Sequence, residues 1–493
     1  MRNEPKWIWR EPYKPVIACV LMTTSPLKSA ALLCAAMLSV PAHTAVGQQG
    51  IDLAKLQTEA VQRTREYLRI NTTNPPGNEA ETMRWFARIL QQEGIPFDTA
   101  SSAPGRGNIW ARLKGGNQPA LVLLHHMDVV PADPKYWNSD PFAATTKDSV
   151  IFGRGALDTK TLGVVELEAF LALHRAKVPL DRDVIFMATA DEEAGGNFGA
   201  GWMVKNRPEA FKGAGILLNE GGDGTLGEDG KVQFAIEVTQ KTPYWLKLTS
   251  VGNPGHGSTP PPASAVNRLI RALDRLQTYE FAPRVVPAVA TYFAAIAPSM
   301  PAKWQDGFRD ASKLIADPNT LMALQIEQRS AAALLRNTCS ITMLQASNKI
   351  NVVPPEAQAQ VDCRLLPDQD RDAFLREFTG VINDPNIKIE LVIGFSAAVS
   401  STETPLYRSI VDVIKRNYPA ASIAPAVSTG FTDSHWFRDL GISSYGFAPF
   451  VIPSAEEGGV HGNNERISIE NIRKGTAMMV ELVRGVVSAK PVP

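Results

Sequence analysis

Cysteine and histidine are scarce in this chain, and no excess of either charge is present. Four cysteines in 493 residues cannot frame a disulfide-stapled scaffold. Lysine plus arginine equals aspartate plus glutamate, 50 against 50, so there is no electrostatic footprint for nucleic acid or an anionic membrane. No apolar run approaches the roughly 18 residues a membrane-spanning helix needs. Internal repeats and low-complexity tracts are also missing, which excludes solenoids and linear arrays. What is present is a 44% hydrophobic chain, longer than a single core usually grows, so two domains are expected. With only seven histidines, any that fall at motif positions are informative.

The N-terminus reads as an export signal. Leu32 to Val40 form a short apolar run, Lys28 precedes it, and Ala45-Val46-Gly47 offers small residues for cleavage. Residues 1–47 are therefore expected to leave the mature protein, which would be periplasmic or secreted and free of the membrane after cleavage. An uncleaved anchor or a tail is the alternative. Met22 opens a compact signal of its own and is a candidate true start. Removal of this segment leaves Cys339 and Cys363, on two stretches that read as hairpin arms about Asn351. A bridge and two buried thiols both remain open.

Helical spacing runs over Thr58 to Arg69, Thr82 to Glu93 and Leu162 to His174. Short, fully apolar runs at Leu121 to Leu124, Val184 to Ala188 and Ile216 to Leu218 read as buried strands. The pattern is α/β with a mostly parallel sheet. Near Thr239 it changes. Tyr244 to Thr249, Ser340 to Leu344 and Ala357 to Leu365 alternate, a helix is expected over Ala263 to Leu276, and 280–335 is Ala- and Pro-rich and mostly helical. An α/β flavour returns after about residue 400. The simplest organisation is a catalytic domain in two pieces, 48–239 and 399–493, with an α+β domain inserted at 240–398.

The chemistry lies just after the buried strands. Leu121 to Leu124 runs into His125-His126-Met127-Asp128, Ile185 to Ala188 into Asp191-Glu192-Glu193, and Ile216 to Leu218 into Asn219-Glu220-Gly221. In open α/β sheets, ligands bind at that carboxyl edge. Acids crowded there repel one another and lose hydration, and a cation relieves both penalties. Two further pieces are Gly153-Arg154-Gly155-Ala156-Leu157-Asp158-Thr159-Lys160 and Val460-His461-Gly462-Asn463-Asn464-Glu465. Taken singly, Asp158 reads as a helix cap and His461 as a loop histidine.

In this order the five pieces resemble the two-zinc aminoacylase and carboxypeptidase metallopeptidase family. Asp128-Val129-Val130-Pro131 and Ala190-Asp191-Glu192-Glu193-Ala194-Gly195-Gly196 lean toward its carboxypeptidase S branch. The resemblance implies a zinc-exopeptidase-like catalytic domain with an inserted lid or dimerisation domain. It implies two divalent ions, with zinc best suited and cobalt or manganese tolerated. His126, Asp158 and Glu220 would hold one ion; Asp158, Glu193 and His461 would hold the other. A cis peptide would follow the bridging Asp158. His125, one step out of phase on its strand, is structural. Asp128 would orient His126, and Glu192 would act as general base and then acid. In Gly252-Asn253-Pro254-Gly255-His256, His256 would stabilise the oxyanion, from the partner subunit of a homodimer formed through the inserted domain. Asn351 and Arg364 would grip a substrate carboxylate. Thr432 and Asp433 belong to a Thr-Asp-Ser specificity loop that departs from the family at Phe431 and His435. The expected activity is hydrolysis of an amide next to a free carboxylate, in a small peptide or an N-acyl amino acid. A metal-free binding or receptor protein on the same fold and a single-metal deacetylase are the rival readings.

Overall fold

The structure is a computed structural model that describes residues 50–489 except 228, 397 and 454–458. The signal expected over 1–47 lies outside the described residues. Among the described residues, no helix is long and apolar enough to cross a membrane.

The apolar runs form the middle of a ten-stranded mixed sheet. Arg182–Thr189, Gln118–His126, Ala214–Asn219 and Ser443–Gly446 lie side by side and parallel. Leu121, Val122, Leu123 and Leu124 are fully buried, because helices cover both faces of a parallel sheet. One covering helix, Lys160–Arg175, is buried along nearly all its length between the sheet and the C-terminal helix Ile469–Val487. Antiparallel strands Phe97–Ala103 and Arg106–Leu113 close one edge.

Helix starts differ from the expected ones by a few residues, and capping explains the shift. The first helix is Leu53–Leu68, begun by Asp52, whose side chain accepts the main-chain N–H of Lys55. The helix expected from Ala263 is Ala265–Thr278, begun by Ser264, which accepts from Asn267.

Residues 242–394 supply a second, four-stranded antiparallel sheet in the order Thr338–Gln345, Glu356–Leu365, Thr242–Val251, Ile387–Gly394. Helices Ala265–Thr278 and Arg371–Ile382 cover one face with a core of their own. Cys339 faces Cys363 in the register of the first two strands, and the two form a disulfide. A third core collects the short helices between 287 and 333, with Phe293 stacked on Phe308. The strands Ser422–Ser428, Ser443–Gly446 and Val451–Pro453 then rejoin the large sheet.

Candidate active site

Parallel pairing puts three strand ends on one edge. Gln118–His126 is flanked by Arg182–Thr189 and Ala214–Asn219, with His126 opposite Thr189. His126 ends its strand, Glu220 directly follows its own, and Glu192 and Glu193 sit on a short 3-10 turn, Glu192–Ala194, just beyond the third. A three-stranded sheet adds the rest. Val150–Phe152 pairs with Arg466–Ser468, which carries the Asp158 loop up to the His461 loop.

The five expected ligands come together in two overlapping groups, His126–Asp158–Glu220 and Asp158–Glu193–His461, with the ligand atoms of each group within 4.8 Å of one another. His126 Nε2 lies 3.0 Å from Asp158 Oδ1 and 3.5 Å from Glu220 Oε2. His461 Nε2 lies 3.0 Å from Asp158 Oδ2 and 3.1 Å from Glu193 Oε2. Asp158 thus presents one oxygen to each group. The Asp158–Thr159 peptide is cis.

Crowding shapes the charges. Burial, with the neighbouring Asp158 charge, raises Glu193 to about 7. Burial and Glu220 push Glu192 well above the usual carboxylate range. Hydrogen bonds to Asp158 and Glu193 raise His461 to about 10. Burial would raise Asp158 too, but hydrogen bonds from both imidazoles outweigh it and hold the carboxyl low. These opposed shifts mark a crowding of negative charge that bound protons or cations would offset. Divalent cations fit the same donors: two imidazole nitrogens and three carboxylates match zinc chemistry, and buried Glu193 Oε1 has no hydrogen-bond partner.

Asp128 makes more contacts than the one to the His126 imidazole. His126 Nδ1 donates to the main-chain carbonyl of Asp128 at 3.0 Å, while the Asp128 carboxylate stands 3.5 Å away. The carboxylate instead accepts the main-chain N–H groups of Glu192 and Glu193, at 3.0 and 3.1 Å, and the Asn74 amide at 2.8 Å. Asp191, just before the turn, has φ 69°, a left-handed conformation uncommon outside glycine. Its side chain is held by Asn74 and by the Phe198 N–H. His125 points away from the cluster, into Tyr67, Phe86 and Phe186, and burial lowers it to about 3.

The inserted segment contributes separately. His256 is exposed on the two-residue strand Gly255–His256, which pairs with Val352–Val353. Its Nδ1 is 2.7 Å from Ser258 Oγ, and its hydrogen bonds do not reach the metal-type cluster. Asn351 lies beside it, its carbonyl accepting the Gly257 N–H. Arg364 is elsewhere in the same segment. Its Nε and Nη2 are taken by Asp362, at 2.7 and 3.1 Å, and its guanidinium lies over Trp245 and Phe431. Thr432 is fixed by Gln240, and Asp433 Oδ2 accepts a hydrogen bond from Thr189 Oγ1. The two departures from the family loop form an aromatic cluster: Phe431 meets Trp245 edge-on, and His435 stacks on Phe395 at 3.5 Å.

Three side chains that hold this geometry carry no role in the sequence reading. Asn74 reads there only as a turn residue, yet it links Asp128 to Asp191. Arg154 and Glu465 stand inside the quoted motifs and form a buried ion pair between the Asp158 and His461 loops. A charged residue flanked by glycines and an acid four residues after a histidine were the available signals.

Residues 122–485, which include all five cluster residues, match the model of peptidase family M20/M25/M40. The chain is 30% identical over 383 residues to the N-fatty-acyl-amino acid synthase/hydrolase PM20D1 of Xenopus tropicalis, covering 74% of this chain and 72% of that protein. It is 27% identical over 387 residues to the probable carboxypeptidase S-like 2 of Dictyostelium discoideum, covering 76% and 73%. The M20 family metallo-carboxypeptidase Sso-CP2 from Sulfolobus solfataricus has the same fold, with a TM-score of 0.66, 20% identity, and coverage of 86% of this chain and 98% of that one. The chain belongs to peptidase family M20/M25/M40 and is a hydrolase.

Proposed function

We propose that the protein hydrolyses an amide bond next to a free carboxylate with two divalent ions, zinc being favoured. The observation that carries this is the convergence of His126, Asp158, Glu193, Glu220 and His461, with Asp158 shared between two groups. When bound, such ions polarise the scissile carbonyl and acidify the attacking water. Glu192 takes the proton from that water and returns it to the leaving nitrogen, splitting the amide into acid and amine. Its place supports the role: it is buried beside Glu193, and Asp128 anchors its main chain. Arg364 would hold the substrate carboxylate with Nη1, the nitrogen that Asp362 does not engage. His256 would steady the carbonyl oxygen from the partner subunit of a homodimer.

Substrates of both kinds, small peptides and N-acyl amino acids, suit this chemistry. The similarity to PM20D1 favours N-acyl amino acids as the first class to assay. We also propose export, which the Cys339–Cys363 disulfide supports, since such bonds persist in oxidising compartments. A panel of dipeptides and N-acyl amino acids, assayed with and without chelator, tests the function. Chelator should abolish turnover and zinc should restore it. Cleavage that ignores chelator would overturn the proposal.

A further inference from the structure

His126 and His461 are held in different ways. His126 ends a buried strand inside the large sheet and is paired there with Thr189 of the neighbouring strand. His461 lies in a loop between 459 and 465, at φ 57°, and its side chain is half exposed. Packing alone does not place it. Asn138 reaches this loop through its main-chain N–H, which donates to Asn464 Oδ1 at 2.7 Å, and Arg154 reaches His461 itself, its Nη2 donating to the carbonyls of Gly462 at 2.9 Å and His461 at 3.4 Å.

Arg154 is itself fixed by Glu465. Both residues are buried, and Nη1 donates to Glu465 Oε2 at 2.7 Å. The same carboxylate accepts the main-chain N–H groups of Gly155 at 2.9 Å, Leu157 at 2.7 Å and Asp158 at 3.0 Å. The main-chain carbonyl of Glu465 accepts the Gly153 N–H at 2.9 Å. One buried carboxylate thus ties the backbone of Asp158 to the segment that ends the His461 loop, and one guanidinium closes the circuit through the His461 carbonyl. A buried ion pair is a poor source of net stability, so a carboxylate that takes four donors, with only Arg154 Nε of the pair left without a partner, points to a geometric task.

We infer that Glu465 and Arg154 are positioning residues that set the spacing between Asp158 and His461, and with it chiefly the affinity of the Asp158–Glu193–His461 site. The inference rests on reading the cluster as a two-ion centre. The His126–Asp158–Glu220 site shares Asp158 but draws its histidine from the sheet, so loosening the clamp weakens that site less. Outer partners of metal ligands typically change affinity by about 10–100-fold when removed.

The test is a calorimetric titration of Zn2+ into the metal-free full chain, with Co2+ visible absorption to follow each site. Wild type should take up two ions; fewer would overturn the two-ion reading and, with it, this inference. Glu465→Gln and Arg154→Lys should weaken one ion by about 10–100-fold and the other distinctly less. Metal-free melting and circular dichroism, measured alongside, separate this from general damage. If Glu465→Gln does not fold, Arg154→Lys decides, since it keeps the charge opposite Glu465 and loses the fork that holds both loops. Unchanged titrations, or equal weakening of both ions, would overturn the positioning role.

Discussion

Asp128 Oδ1 accepts the main-chain N–H of Glu192 at 3.0 Å, so the turn carrying the proposed general base hangs from the strand loop that carries His126. Three donors converge on that carboxylate: two main-chain amides and the Asn74 side chain. Asn at this position would point an NH2 group at one of them. Asp128→Asn is expected to lower kcat by about 10–100-fold, as for other partners of metal ligands, with KM little changed. Steady-state kinetics beside metal analysis checks this, and wild-type kcat would remove Asp128 from the positioning role.

Glu192→Gln keeps the shape of the side chain and removes its basicity. Turnover should fall by about 10²–10⁴-fold, the range for loss of a general base, while two equivalents of metal remain bound. A variant that turns over normally with full metal would assign the proton transfer to another group.

Arg364→Ala should raise KM for a substrate with a free carboxylate by about tenfold or more, since hydrogen bonds to charged groups contribute about 1.5–3 kcal/mol. The preference for the free acid over its methyl ester should shrink with it. Equal KM values for wild type and variant would take Arg364 out of the pocket and leave its stacking on Trp245 and Phe431 as its task.

His435 is buried against Phe395, and burial, with Arg438 nearby, holds its imidazole well below its ordinary value. The folded protein keeps it neutral, whereas the unfolded chain takes up a proton below about pH 6.5. Its contribution is therefore fully present above that pH and is lost as pH falls below it, by up to about 2 kcal/mol near pH 5. His435→Phe keeps an aromatic ring and removes the titration. Denaturant midpoints of zinc-loaded wild type and variant, near pH 7.5 and pH 5, should diverge on the acid side; parallel behaviour would contradict the buried, neutral state.

Replacing both Cys339 and Cys363 with Ala should cost about 3 kcal/mol, the scale for freeing a loop of this order in the unfolded chain. Denaturant unfolding read on the four-stranded sheet would show it, and an unchanged midpoint would mean that the strand register alone holds the hairpin.

The sheet strands and three of the five cluster residues were legible locally. Leu121 to Leu124 is apolar because both faces are covered, and His126, Glu193 and Glu220 follow such runs because ligands collect at the carboxyl edge. Spacing along the chain sufficed there, since a buried strand leaves its signature in its own residues. Helix starts were blurred until the caps at Asp52 and Ser264 could be seen. The pairing of Cys339 with Cys363, open in the sequence, follows from antiparallel register. The Asn74–Asp128–Asp191 and Arg154–Glu465 links were beyond sequence reading, because their partners lie 54 to 311 residues apart. The sequence alone brought out the cluster residues, His126, Glu193 and Glu220 by their places after buried strands, and Asp158 and His461 through the family resemblance. Only the tertiary structure decided what holds them at working distance, because a hydrogen bond between remote segments depends on where the backbone returns.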